Sequence, residues 1–398
     1  MKKIILSTIA FSSLFFASCS LDNDDEISGV NPIEPVTTQN LAGNLTTDLK
    51  LQSGFDYTLT GALLVKDGAT LTIDPGVRVK ALAGGTDVYL LVEKGGKIIA
   101  NGTESNPIVF TSNATNPQSG DWGGIILNGK APLSRQNGAE SNSASEVNTA
   151  VMYGGAIAND NSGVLNYVKI EYTGARIDNN AEHNGLTLNG VGSGTTISNI
   201  AILNGDDDAI EFFGGTVDAT NILVVNAKDD MFDFTQGYVG TCTNLYGVRE
   251  NGFTAVTDDP RGIEADGNLD GITPSDINQS NFIINGLTII NNAEMVNSNG
   301  EAIGLSDAIK IRRGAAANIT NAYLALGTGA IFSDVIDLKD SKGDANDTTS
   351  ITANANPANG LDSGDVKNTT SGGATINVTE ANSGGADTSV FAWTGYNF

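Results

Sequence analysis

The sequence predicts an all-β chain wound as a right-handed parallel β-helix, a solenoid forming a single elongated domain, and three observations carry that expectation. Short apolar stretches recur every 22 to 27 residues. The residues between them are the Gly, Asn, Asp and Thr of tight turns, and runs of helix-forming Leu, Glu and Lys are missing. A unit of that length holds two or three short strands and cannot bury its apolar face alone, whereas stacked units share one continuous core. At this repeat length the chain makes about ten to twelve coils. A β-sandwich is the competing architecture, but two-residue hairpin signals are scarce and the repeat is too regular for it.

The chain opens on a leader. Lys2 and Lys3 precede an apolar stretch from Ile4 to Phe16, too short to span a bilayer as a mature helix, and Phe16-Ala17-Ser18-Cys19 has the form of a lipobox. Residues 1–18 therefore read as a lipoprotein signal peptide and Cys19 as the lipidated residue. Its acyl chains would hold the protein to a membrane at ~0.8 kcal/mol per buried methylene. Residues 19–47 read as a flexible tether, beginning with the acidic Ser20-Leu21-Asp22-Asn23-Asp24-Asp25-Glu26. That stretch resembles the export signal of surface lipoproteins of the Bacteroidota, which implies an outer-membrane, lipid-anchored protein facing the cell exterior. The β-helix is assigned to residues 48–340. Residues 341–398 are assigned to an irregular C-terminal segment and cap, with Val390-Phe391-Ala392-Trp393-Thr394 as an apolar anchor.

Charge and cysteine content narrow the partners. A formal charge of -25, made more negative when Lys2 and Lys3 leave with the leader, repels nucleic acid and attracts cations, so nucleic-acid binding is excluded. With Cys19 lipidated, Cys242 stands alone and no intrachain disulfide is available.

The repeats fix the register. Leu64-Val65-Lys66-Asp67-Gly68-Ala69-Thr70-Leu71 is echoed 27 residues later by Leu91-Val92-Glu93-Lys94-Gly95-Gly96-Lys97-Ile98. Asn199, Asn221 and Asn244 then recur after 22 and 23 residues within the same apolar frame, and Asn166, Asn285 and Asn321 read as the same station at longer spacings. Stacked Asn amides can hydrogen-bond one another along the axis, which gives a structural reason for the repeat.

Carboxylates are the chemical candidates. Asp206, Asp207 and Asp208 lie 22 residues from the corresponding region around Asp229 and Asp230, with Asp233 beyond, so the groups fall on adjacent rungs of one turn. Neighbouring carboxylates repel unless their pKa rises, a cation binds, or they stand in solvent. Three readings follow: turn residues capping the coil, a Ca2+ site, or an acid and base pair at Asp207 and Asp230. A second possible calcium loop is Glu264-Ala265-Asp266-Gly267-Asn268-Leu269-Asp270-Gly271, although its ligand spacing departs from an EF-hand. Lys310 and Arg312, outward on a strand that turns Ile309 and Ile311 inward, are the basic candidates for catalysis. Otherwise they are cations on a solvated face. Trp122, between glycines, is either a lid on the early coils or a surface on which a sugar stacks.

Leu71-Thr72-Ile73-Asp74-Pro75-Gly76, Pro107-Ile108-Val109-Phe110-Thr111-Ser112, Gly120-Asp121-Trp122-Gly123-Gly124-Ile125 and Asp207-Asp208-Ala209-Ile210-Glu211-Phe212-Phe213-Gly214-Gly215 resemble a family of secreted and lipidated β-helix proteins of the Bacteroidota. More distantly the coil pattern is similar to the pectin-lyase-like superfamily, whose members include lyases, hydrolases and non-catalytic adhesins. The motifs of a polygalacturonase-type hydrolase are present only in fragments, and the single His183 precedes the Asp cluster instead of following it. The expectation is a surface lipoprotein acting as a binding or adhesive scaffold for carbohydrate or another extracellular polymer. A calcium-assisted polysaccharide lyase or glycoside hydrolase is the second reading, and a structural envelope protein the third.

Overall fold

In the computed structural model the described residues are 39–177, 182–254, 259–293 and 305–398. Cys19, the leader and most of the tether lie outside them. Each coil has three faces. First-face strands run from Leu49–Leu51 through Thr70–Ile73 and Lys97–Asn101 to Gly163–Glu171 and onward to Thr375–Glu380, eleven deep among the described residues. From Gly163–Glu171 onward a single strand bends to serve the second face as well. The third face stacks Leu90–Val92, Ile125–Asn128, Leu186–Asn189, Ile210–Phe213, Phe232–Thr235, Arg261–Asp266, Leu305–Arg312, Phe332–Asp337 and Val366–Lys367. All these pairings are parallel, as the repeat demands.

The bend between first and second faces explains the recurring asparagine. Asn199, Asn221, Asn244 and Asn321 sit there with φ of 52°, 57°, 63° and 54°, in the left-handed region that Asn tolerates better than most residues. The Asn221 amide donates to Asn199 Oδ1 at 2.9 Å and that of Asn244 to Asn221 Oδ1 at 3.0 Å. Asn166 and Asn285 do not share this position. The corner residues of their coils are Tyr167 and Gly286, with φ of 50° and 79°, and each Asn falls one place earlier. Asn166 still joins the ladder, accepting from Asn199 at 2.8 Å and donating to Asn101 at 2.8 Å.

Inside, register converts repeats into rows. Ile210, Phe232, Ile263, Ile309 and Ile336 stack on the third face, and Phe212, Phe234, Ala265 and Ile311 stack beside them. Phe212 to Phe234 and Phe234 to Phe282 are stacked at 5.0 and 4.4 Å. Gly163 opens its strand at φ 118°, where any Cβ would strike the Ile98 carbonyl oxygen, so only glycine lets this coil close on the one below.

The solenoid is longer than residues 48–340. Gln39–Leu45 already pairs with Tyr57–Val65, and Ser350–Ala355, Val366–Lys367 and Thr375–Glu380 continue the stack through the segment expected to be irregular. Residues 381–398 then return along the outside. The strap is tied to successive coils by Asn354 to Ser383 O (2.7 Å), Ala386 N to Thr288 Oγ1 (2.9 Å) and Asp387 N to Asn244 Oδ1 (2.5 Å). A 3-10 turn at Thr388–Thr394 lays Phe391 and Trp393 against Ala201, Leu223, Tyr246 and Val248. Among the described residues no helix is long and apolar enough to cross a membrane.

Replacing Asn221 tests the corner. Asn221→Ala places a Cβ-bearing, amide-free residue in the left-handed region and breaks the ladder on both sides, so urea unfolding should show a loss of about 2–3 kcal/mol. Asn221→Gly, which relieves the backbone strain alone, should lose less. Unchanged unfolding in both variants would contradict the ladder's role.

Candidate functional site

The third face carries charge on its outer side because its strands alternate. With Ile210 and Phe212, Phe232 and Phe234, and Ile263 and Ala265 turned inward, the residues between them point out. Register then aligns Thr187, Glu211, Asp233, Glu264, Lys310 and Asp337 in one outward row. Beside it, two places before the first inward residue of each strand, Asn184, Asp208, Asp230 and Arg261 occupy successive coils.

This face is roofed. Residues 129–160 leave the coil and return, carrying an antiparallel hairpin of Ser143–Ser145 and Asn148–Tyr153. Val147 and Val151 pack on Tyr89, Leu91 and Ile126, and Tyr153 packs with Leu133 and Phe213 while donating to Gln236 Oε1 at 2.6 Å. Between roof and face lies a cleft of about 500 Å3. Its walls include Asp207, Asp208, Glu211, Asp229, Asp230 and Asp233, with Arg261 and Arg312 at one end.

Burial and mutual repulsion dominate the electrostatics. Burial first, then a neighbouring carboxylate, pushes the pKa of five groups well above the usual range: the neighbour is Asp229 for Asp207, Asp230 for Asp208, Asp233 for Glu211, and Glu264 for both Asp230 and Asp233. Partial relief comes from hydrogen bonds. Asn184 donates to Glu211 Oε2 at 2.5 Å, the Asp230 N–H to Asp208 Oδ1 at 2.8 Å, and the Arg261 N–H to Asp230 Oδ1 at 2.5 Å. Arg249, fully buried, donates to the carbonyls of Ala227 and Asp229 and brings a positive charge beneath the turn. Burial lowers its pKa to about 10. The Oδ1 of Asp233 is buried without an N–H or hydroxyl donor, and the Asp233 side chain meets the Glu211 carboxyl.

The structure brings Asp207, Asp208, Asp229, Asp230 and Asp233 together, as the spacing of 22 implies, but not as solvated turn residues: Asp207 is 8% and Asp230 5% exposed. Asp206 is directed elsewhere, to Lys228 at 2.5 Å and Arg176 at 3.6 Å. Glu264-Ala265-Asp266 is a strand of the third face and not part of a calcium loop. Arg261 and Arg312 hold Glu264, Arg312 and Arg313 hold Asp266, and Asn268 bonds to Gln279 at 3.0 Å and to the Thr273 N–H at 2.9 Å. Those oxygens are therefore engaged by protein donors instead of converging on an ion. The side chain of Asp270, like Cys19, lies outside the described residues.

Lys310 and Arg312 do point outward, yet neither stands in solvent. Lys310 pairs with Asp337 at 2.6 Å, and Arg312, at the cleft end, with Asp266 at 2.8 Å. Trp122 offers no surface to a ligand. It is fully buried, stacks near Phe110 at 6.5 Å and donates its indole N–H to the Glu171 carbonyl at 2.8 Å. His183 is buried against Tyr89 with Nε2 on the Thr86 carbonyl at 2.8 Å, and burial lowers its pKa to about 4.

Glu211, which closes the first acidic stretch, was not singled out as a ligand although it stands 22 residues before Asp233, the spacing that aligned Asp208 with Asp230. Asn184, Glu146 and Glu182 carry no such signal, since they reach the cleft from an earlier coil and from the roof. As a donor set the cleft suits hard cations: oxygens without His or Cys fit Ca2+ and not zinc. One oxygen each of Asp208, Asp229 and Asp230, and of Asp208, Glu211 and Asp233, lie within 4.8 Å of one another.

A family model for a pectate-lyase-like β-helix domain matches residues 43–396. No curated protein and no solved structure matches the chain.

The raised carboxyls set a pH dependence. A carboxyl with a raised folded pKa keeps a proton that the unfolded chain has released. Its contribution is complete below the unfolded value of about 4 and disappears as pH climbs through the folded values. In chelator, the thermal midpoint should therefore fall as pH rises above the unfolded value of about 4, and Glu211→Gln should flatten the fall. Asp340, Asp344, Asp347 and Asp387, whose pKa values are lowered, act in the opposite sense, below about pH 4. A midpoint that stays level or climbs across the neutral range would contradict the cluster's electrostatics.

Proposed function

The chain belongs to the pectate-lyase-like β-helix domain family, and on that footing we propose that it is a lipid-anchored surface protein whose roofed third-face cleft binds carbohydrate of an extracellular polymer. The observation that carries this reading is the cleft: a long surface of register-aligned polar side chains under a hairpin, with Phe213 and Leu269 in its wall as apolar surface for a sugar ring. Ca2+ is proposed at Asp208, Asp229 and Asp230, whose oxygens converge within 4.8 Å and whose repulsion a divalent ion would relieve. The lipobox at Cys19 and the acidic stretch after it support anchoring at the outer membrane with the body facing outward.

A second reading, polysaccharide cleavage, is supported by the contact between Glu211 and Asp233. A carboxyl kept protonated beside a carboxylate is the pairing an acid and base mechanism uses. In this reading Asp207 and Asp230 stand at the edge of the pair, and Arg312 supplies the positive charge at the cleft end.

Titration calorimetry with Ca2+ on the lipid-free body, followed by glycan binding and cleavage screens with and without chelator, separates the readings. The scaffold predicts Ca2+ uptake lost in Asp230→Asn and glycan retention without shortened products. Products that vanish in Glu211→Gln would establish the enzyme instead, and silence in both screens would remove the carbohydrate reading. For the anchor, Cys19→Ala should abolish palmitate incorporation and release the protein from membranes; labelling that persists would contradict it.

A further inference from the structure

Farther along the third face the protein has already satisfied a carboxylate trio with ammonium groups. One oxygen each of Asp307, Asp334 and Asp337 lie within 4.8 Å of one another. Lys310 Nζ meets Asp337 at 2.6 Å, and Lys367 Nζ meets Asp334 at 2.6 Å and Asp337 at 3.6 Å. The cleft trio of Asp208, Glu211 and Asp233 has the same closeness, each offering an oxygen within 4.8 Å of the others. Among the described residues, however, no lysine or arginine forms an ion pair with it. The nearby cations are committed: Lys228 to Asp206, Arg261 to Asp259, Glu264 and Asp307, and Arg312 to Glu264 and Asp266. Arg249, whose charge acts on Asp208 from beneath the turn, is buried and donates to the Ala227 and Asp229 carbonyls. Asp233 Oδ1, buried and without an N–H or hydroxyl donor, belongs to this trio.

The geometry suits one chemical group. An ammonium has three donors and no acceptor, and three tetrahedral N–H bonds of about 2.8 Å hold their acceptors about 4.6 Å apart. The wider charge balance agrees. Among the described residues ten carboxylates line the cleft against two guanidiniums, both already paired, so an acidic sugar entering alone would meet like charge. A cationic sugar would meet its complement.

We propose that the cleft selects an amine-bearing glycan, a polymer of amino sugars with free ammonium groups, and seats one ammonium among Asp208, Glu211 and Asp233. The proposal rests on the reading of the cleft as a carbohydrate site and names the ligand class of that site. Asp208 also belongs to the trio assigned to Ca2+, so the ion and the amine compete for it.

Calorimetry on the lipid-free body in chelator, near pH 7, where more of the cleft carboxyls are ionised than in acid and most glucosamine amines are still ammonium, compares glucosamine oligosaccharides with their N-acetylated counterparts, cello-oligosaccharides and oligogalacturonates. Glucosamine oligomers should bind at least about tenfold more tightly than the N-acetylated and plain sugars, and Glu211→Gln and Asp233→Asn should each forfeit about tenfold. Added Ca2+ should weaken that binding competitively. Thermal melts check that both variants fold; should either fail, the N-acetyl comparison on the unaltered protein decides. Equal affinity for charged and uncharged sugars, or preference for oligogalacturonate, would overturn the ammonium seat while leaving a carbohydrate site. Absence of binding to every sugar would remove both.

Discussion

Parallel strands stacked about 4.8 Å apart make each side chain the close neighbour of its counterpart one coil away, and the consequences depend on what that side chain can do with a copy of itself. An apolar side chain stacks on its copy and buries it, as Phe212 does on Phe234. An amide donates and accepts, so Asn199, Asn221 and Asn244 form a self-complementary ladder. A carboxylate only accepts, so a row of them always needs a third party.

The third face meets that need in different ways along its length. In the later coils the third party is built in: Arg261, Lys310, Arg312 and Arg313 interleave with Glu264, Asp266, Asp307 and Asp337. In the middle coils the carboxyls of Asp208 and Asp230, and of Glu211 and Asp233, form no ion pair with a lysine or arginine among the described residues, and a hairpin covers them. Asn184, Arg261 N–H and the buried Arg249 offset part of the repulsion, and burial raises the remaining pKa values. The proposed cation and amine sites rest on that boundary between compensated and uncompensated coils.

Much of this architecture was legible in the sequence because a solenoid writes its geometry as a period. The spacing of 22 that aligns Asn199 with Asn221 also aligns Asp208 with Asp230 and Glu211 with Asp233. What escaped was non-periodic or shifted by one. Asn166 and Asn285 share the corner environment from an adjacent position, a distinction that only the backbone φ of Tyr167 and Gly286 reveals. The strands after residue 340 are short and built of Thr, Ser, Asn and Ala, so their apolar alternation is too faint to separate from loop composition. The hairpin over the cleft occurs once and has no echo. Glu264, Asp266 and Asn268 have the oxygen donors of a calcium loop, and only the arginines brought in from Arg312 and Arg313, on the next coil, show that those donors are taken. The glycine neighbours of Trp122 suggest an open turn, whereas Gly123 and Gly124 are there because Tyr89, His183 and the Asn184 carbonyl crowd the backbone, and the indole beside them is fully buried.

The central claim is that Glu211 and Asp233, 22 residues apart in sequence, act as one electrostatic unit because the coils stack. A double-mutant cycle on thermal stability at neutral pH, with Glu211→Gln, Asp233→Asn and the pair, measures this directly. The account predicts that either substitution alone stabilises by removing the repulsion and that the second adds little, giving strong non-additivity. Independent, additive effects would show that the two carboxylates do not share a site, and the account would fail.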